Sequence, residues 1–258
     1  MHPGLGPRAE AETLYVKQLR LSERLRAHPG EFVIWDVGLG AAANALAVVQ
    51  ATAGADASVR LLSFDHTLDP LRFAFAERAA LGYFAGCESW VEELLGSGHA
   101  SMVHGGRRLS WEVVPADFPA LLRDPLMTLL PKPQAIIFDP WSPSKNPGMW
   151  TAQVFSDLFQ VLDPGRPCAL ATYSRSTFLR VSLLVAGFMV GVGHAAGRKE
   201  ETTLAANSRE LIPDLLDRRW LERARRSPAA EPLRDAVYRQ APLTPETWEK
   251  LRGHPQFQ

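Results

Sequence analysis

The stretch Phe32-Val33-Ile34-Trp35-Asp36-Val37-Gly38-Leu39-Gly40-Ala41-Ala42-Ala43-Asn44 decides the fold. Its first six residues form an apolar run of strand length, rich in β-branched and aromatic side chains, as expected for a strand buried on both faces. Two glycines and an alanine-rich segment follow, so the chain turns sharply and enters a helix. A strand, a glycine turn and a helix in succession open an α/β unit with a parallel sheet. Glycines at that turn let the backbone approach a ligand closely, and an acid two residues before the first of them can meet a cationic or hydroxyl-bearing group. Taken alone, the segment also reads as a tight turn of any α/β protein, and Gly38-x-Gly40-x-x-Ala43 fits the dinucleotide fingerprint.

Outward from this segment, strand-like and helix-like signals alternate. Seven strands are expected, over Phe32 to Val37, Val59 to Phe64, Leu109 to Val114, Gln134 to Phe138, Pro167 to Tyr173, Phe188 to His194 and Glu201 to Ala206. Helical stretches are expected near Ala42 to Ala53, Pro70 to Leu81, Ser89 to Leu95, Phe118 to Leu129, Thr151 to Leu162 and Ser176 to Ala186. The pattern is a Rossmann-like α/β fold: a seven-stranded, mostly parallel sheet with helices on both faces and an antiparallel final strand. Residues 1–207 form this domain. Residues 208–258, with arginines at 218, 219, 223, 225 and 226 and prolines at 228, 232, 242 and 245, read as a helical C-terminal extension too poor in apolar residues for its own core.

The 258 residues are 46% hydrophobic and 22% charged, as in an ordinary soluble domain. No apolar run approaches the roughly 20 residues that span a bilayer, and the N-terminus lacks a secretory pattern, so a cytoplasmic protein is expected. Cys87 and Cys168 stand in unrelated contexts without metal-ligand spacing, so neither a disulfide framework nor a metal site is indicated. Lys plus Arg and Asp plus Glu are both 28. With no net field to draw in nucleic acid, an RNA partner would need a local basic patch.

The acid-x-Gly-x-Gly turn is the pattern by which class I methyltransferases hold S-adenosylmethionine (SAM), with Asp36 near the methionine moiety and Gly38 and Gly40 at the turn. Asp65, ending the second strand, is placed to bond ribose hydroxyls in either nucleotide-type cofactor. Asp117 follows the third strand, where methyltransferases often contact adenine; before Phe118-Pro119 it equally suits a helix N-cap. The fourth strand runs into Asp139-Pro140-Trp141-Ser142-Pro143-Ser144-Lys145-Asn146-Pro147-Gly148-Met149-Trp150. Ligands in open parallel sheets lie beyond the carboxyl ends of the strands, so Asp139 should emerge beside the reactive end of the cofactor. A proline-rich loop exposing two tryptophans points to use rather than to rigidity alone.

These residues together resemble the methyltransferase domain of MnmC-type tRNA 5-methylaminomethyl-2-thiouridine enzymes. The resemblance runs from Met1-His2-Pro3 to about Asn207. It rests on Asp36-x-Gly38-x-Gly40 with Asn44 after it, Ser63-Phe64-Asp65, Asp139, Lys145-Asn146-Pro147-x-Met149-Trp150, Ala186-Gly187-Phe188 and Gly197-Arg198-Lys199. It implies SAM as cofactor, held by Asp36, Gly38, Gly40, Asn44, Asp65 and Asp117. It further implies methylation of the aminomethyl group of a wobble uridine in tRNA, with Asp139 catalytic. Trp141 or Trp150 would stack on the base, and Lys145, Arg198 and Lys199 would meet phosphate. Fused relatives carry an FAD-dependent oxidase domain, so here the FAD-dependent enzyme would be supplied separately. The sequence departs from the family at Ala42, where a third glycine is usual, and at Pro140-Trp141-Ser142-Pro143, where Gly-Phe-Ala-Pro is usual. Methylation of another amine, on a small molecule or a protein, and a non-catalytic methyltransferase-like binding protein are the alternatives. SAM binding and methyl-transfer assays separate them.

Overall fold

The computed structural model describes residues 6–104, 107–194 and 201–258. Strands β1 (Glu31–Val37), β2 (Ser58–Asp65), β3 (His99–His104), β4 (Arg107–Pro115), β5 (Ala135–Phe138), β6 (Ala169–Thr172), β7 (Met189–Gly193) and β8 (Thr202–Ala206) join in one sheet of order β3-β4-β2-β1-β5-β6-β8-β7. The pairings among β1, β2, β4, β5 and β6 are parallel, whereas β8 runs antiparallel to both β6 and β7. The sheet therefore has the expected mixed Rossmann-like character, with eight strands where seven were expected. The additional strand, β3, pairs antiparallel with β4 at one edge. Its His-Ala-Ser-Met-Val-His sequence lacks the apolar density of a central strand, and Val103 is 66% exposed, so no burial pattern marked it.

Chain order reverses at β1. The chain leaves β1 toward β2 and β4, then returns to place β5 on the other side. Val37 aligns with Phe138, so the carboxyl ends of these two neighbours open together at the switch point, where such sheets form their ligand crevice.

Around the sheet lie α1 (Pro7–Ala11), a π-helical turn (Glu12–Lys17), α2 (Leu21–Arg26), α3 (Ala43–Thr52), α4 (Asp69–Ala76), α5 (Arg78–Leu81), α6 (Glu88–Ser97), α7 (Phe118–Leu121), α8 (Ala152–Val161), α9 (Thr177–Ala186), α10 (Arg218–Arg225) and α11 (Pro245–Arg252). Alternate residues of β1 feed two apolar cores. Phe32 and Ile34 pack with α3, α6 and the N-terminal helices, whereas Val33, Trp35 and Val37 pack with α8, α9 and the C-terminal segment. That segment shares the second core through Leu216, Trp220, Leu221, Ala224, Leu233, Leu251 and Phe257, and Gln256 bonds the backbone of Val190 and Leu216.

The helix expected over Pro70 to Leu81 breaks at Glu77, and the one over Phe118 to Leu129 becomes α7 and a 3-10 turn at Pro125–Leu129. Pro125 removes a donor and holds Asp124 in an extended conformation, which stops the first helix. No described helix is long and apolar enough to cross a membrane.

Candidate active site

Beyond the carboxyl ends of β1, β2, β5 and β6 lies a cavity of about 560 Å³, a size suited to a nucleoside-type ligand. Gly38 (φ +95°) turns the chain out of β1, and a Cβ there would meet the Asp139 carbonyl oxygen at 2.8 Å. Its glycine character thus sets the approach of the β1 and β5 loops. Gly40 (φ +51°) faces open space and donates its N–H to Asp65 Oδ2 at 2.9 Å. Asp65 also accepts from the His66 backbone at 2.8 Å and lies 3.1 Å from the His66 ring. Ala42, at the position of the missing third glycine, is left-handed (φ +63°) and caps α3. This alanine takes the conformation for which glycine is favoured. Tyr83 donates to the Ala41 carbonyl at 2.9 Å and holds the turn in place.

Asn44, at the start of α3, donates its side-chain amide to Asp139 Oδ2 at 2.5 Å. The residue expected to touch cofactor is therefore bonded to the expected catalytic acid. Asp36 stands behind the lining, fully buried. Trp111 donates to Ser63 Oγ at 2.9 Å, and Ser63 donates to Asp36 Oδ2 at 2.8 Å, which fixes the carboxyl. Asp36 Oδ1 has no partner. Burial lifts its pKa to about 7; the Ser63 bond opposes this, and the charges of Asp139 and Asp65 add to it. Tyr15 and Tyr173 also line the cavity. Burial, then the neighbouring Asp139, push both hydroxyls above the ordinary range, so both remain protonated donors.

The remaining expected residues divide. Asp117 caps α7 through Ala120 N at 2.9 Å and also lines a smaller lobe of about 120 Å³ that shares Gly38, Asp65 and Trp141 with the main cavity. Trp141 borders both lobes and is 71% exposed. Trp150 is 0% exposed, packed edge-on against Phe138, and its indole N–H donates to the Trp141 carbonyl at 2.8 Å. The stacking role expected for Trp150 is corrected on this ground, since no face of its ring is open to a base. Lys145 is exposed on the same loop, outside the cavity lining. Arg198 and Lys199 lie outside the described residues.

Sequence reasoning missed Tyr15, Tyr173 and His66. Tyr173 follows β6 and His66 follows β2, so the rule that ligands gather at strand carboxyl ends was a usable signal. Tyr15 comes from the π-helical turn before β1, folded back over the crevice. Nothing in the local sequence marks that return.

A family model described as "S-adenosyl-L-methionine-dependent methyltransferase" matches residues 106–208. The tRNA 5-methylaminomethyl-2-thiouridine biosynthesis bifunctional protein MnmC of Aeromonas hydrophila is 29% identical over 232 residues, covering 83% of this chain and 33% of its own length. The protein of the same name from Ectopseudomonas mendocina is 30% identical, covering 79% and 31%. The chain thus spans about a third of the length of these curated relatives. Among solved structures, MnmC2 from Aquifex aeolicus superposes with a TM-score of 0.63 at 25% identity, covering 88% of this chain and 69% of that one. The cavity fits the cofactor this family uses. Glu10, Asp65 and Asp139 line it with no Lys or Arg among the described lining residues, a donor set suited to a sulfonium and an ammonium. By fold, motif and likeness, the chain is similar to the methyltransferase part of the MnmC-type enzymes, with the fold of an S-adenosyl-L-methionine-dependent methyltransferase.

Proposed function

We propose that this protein transfers a methyl group to the primary amine of an aminomethyl-modified wobble uridine in tRNA, in the cytoplasm. The observation that carries this reading is Asp139, held by Asn44 at the switch point of an acid-lined crevice. Bound SAM supplies an electrophilic methyl group on a sulfonium. Asp139 accepts an N–H from the substrate amine, orients its lone pair and receives the proton that must leave. Asp36, Asp65 and the Gly38-Gly40 turn hold the nucleoside and amino-acid parts, with Asp117 closing the smaller lobe. Proximity supplies most of the acceleration, because the methyl group is already activated. Trp141 offers an open indole face for the extruded base at the cavity mouth. Lys145, Arg198 and Lys199 form the local cationic surface for phosphate, with α10 as an outer contact. The relatives are named as bifunctional, which supports a partnership with an FAD-dependent enzyme for the preceding oxidative step.

The test is methyl transfer from labelled SAM to tRNA carrying aminomethyluridine at the wobble position, read by nucleoside mass spectrometry beside a panel of small amines. Gain of one methyl on the wobble nucleoside is expected. Transfer to small amines alone would move the substrate away from tRNA.

A further inference from the structure

The π-helical turn Glu12–Lys17 brings the Tyr15 ring to the cavity wall, with its hydroxyl buried near Asp139. Tyr15 is 1% exposed, lines the crevice with Asp139, Asn44 and Tyr173, and is close enough to Asp139 to feel its charge. Its hydroxyl leans toward the Asp139 carboxylate without closing a well-aligned hydrogen bond. A buried hydroxyl left unmade costs stability, so its retention beside a carboxylate points to a group that arrives with the ligand. π-helical turns are rare and concentrate at functional sites, which fits a segment shaped to deliver one side chain.

We propose that the Tyr15 hydroxyl is a second hydrogen-bond acceptor for the substrate amine, and that together with Asp139 it limits the reaction to one methyl per amine. The inference rests on the amine-methyltransferase reading and names a residue that reading does not use.

A neutral primary amine has two N–H donors and one lone pair. With one N–H on Asp139 and the other on the Tyr15 oxygen, the lone pair points in the remaining direction, toward the methyl donor. The amine nitrogen forms the new N–C bond as the S–C bond breaks, its electron pair staying on sulfur. The resulting methylammonium passes one proton to Asp139 and leaves as a secondary amine. That product has a single N–H. A second transfer would press its methyl group against a buried hydroxyl and leave that hydroxyl unpaired, slowing the step by about 10- to 100-fold.

Tyr15→Phe removes one oxygen and keeps the ring that packs in the core. Calorimetry would compare S-adenosylhomocysteine with sinefungin, the cofactor analogue bearing a primary amine where the S-methyl stands. In the variant, homocysteine-analogue affinity is expected to hold within about twofold while the preference for the amine analogue falls about tenfold. On aminomethyl tRNA, the first transfer is expected to slow by about tenfold and a dimethylated nucleoside to appear. An unchanged analogue preference overturns the proposal, as does equal loss of both ligands, which would make Tyr15 part of the cofactor wall. If wild type methylates no tRNA while the analogue preference still falls in Tyr15→Phe, the wobble-uridine substrate is lost and the Tyr15 assignment stands.

Discussion

Asp36 carries the sharpest pH dependence in the site. It is sealed from solvent, and burial raises its carboxyl from 3.8 to about 7. A carboxyl raised on folding binds its proton more tightly in the native state, so stability falls as pH climbs from about 4 through 7 and stays reduced above. Asp36→Asn is therefore expected to stabilise the ligand-free protein by a few kcal/mol at about pH 8 to 9, with the gain vanishing near pH 4. Melting curves across that range check this, and a gain independent of pH would contradict it. In the proposed reading, a sulfonium in the adjoining cavity favours the ionised form of Asp36. SAM should then bind more tightly from pH 6 to 8 and release protons at pH 7, read by calorimetry in buffers of different ionisation enthalpy. Asp139 differs because, in the proposed mechanism, it serves the amine. Asp139→Asn should lower turnover by about 10²- to 10⁴-fold and leave SAM affinity within a few-fold. Unchanged turnover would reduce Asp139 to a partner of Asn44.

At the scale of elements, the site depends on how the N-terminal helices are tied down. Gln18 follows the π-helical turn and reaches the far edge of the sheet. Its Oε1 accepts from His194 N at 2.8 Å and from Thr202 Oγ1 at 3.0 Å, and its amide lies 3.4 Å from the Thr203 carbonyl. Gly193 leaves room for it, since a Cβ there would sit 2.5 Å from Gln18 Nε2. Gln18→Ala should cost about 2 to 3 kcal/mol in urea unfolding through the buried groups it abandons, and should weaken SAM binding by loosening the wall that carries Tyr15. Loss of stability with intact SAM affinity would separate the wall from the link. This region also marks the limit of what was legible in the chain. The β1 turn, the acid ending β2 and the Asp139 loop were readable because each is a local pattern at a strand end. Gln18 and Tyr15 act on residues more than a hundred positions away in sequence, and no local periodicity records such a contact. Trp150 was misread for the opposite reason: a loop rich in proline looks exposed, yet Phe138 and Phe155 give its ring a core position.

Across the whole molecule the net charge is zero, so any RNA contact falls to local groups. The crevice is acidic, while α10 is amphipathic, with Trp220, Leu221 and Ala224 buried and its arginines outward. Arg218 bonds the Phe257 carbonyl and Arg225 lies over the Trp248 ring, so these two are committed to packing. Arg219 and Arg223 are exposed and make no ion pair among the described residues. Burial lowers the Arg180 guanidinium, Glu201 offsets part of this, and Arg175 and Arg223 add to it, so both arginines stand close to Arg180. Arg175 in turn follows the lining residue Tyr173 by two positions. In the proposed reading, the exposed Arg219 and Arg223 extend the phosphate-binding surface along the outer face of α10. Each phosphate contact contributes close to one unit to the salt slope of binding. Arg219→Gln with Arg223→Gln should flatten the tRNA slope by about one to two units and weaken binding near physiological salt. SAM affinity and melting temperature should hold, because the apolar face of α10 is untouched. Titrations at several salt concentrations, with calorimetry of SAM alongside, make the comparison. An unaltered slope with unaltered affinity would remove α10 from the RNA surface and leave phosphate contact to Lys145 and the Arg198-Lys199 pair, whose own neutralisation would then have to carry the full change.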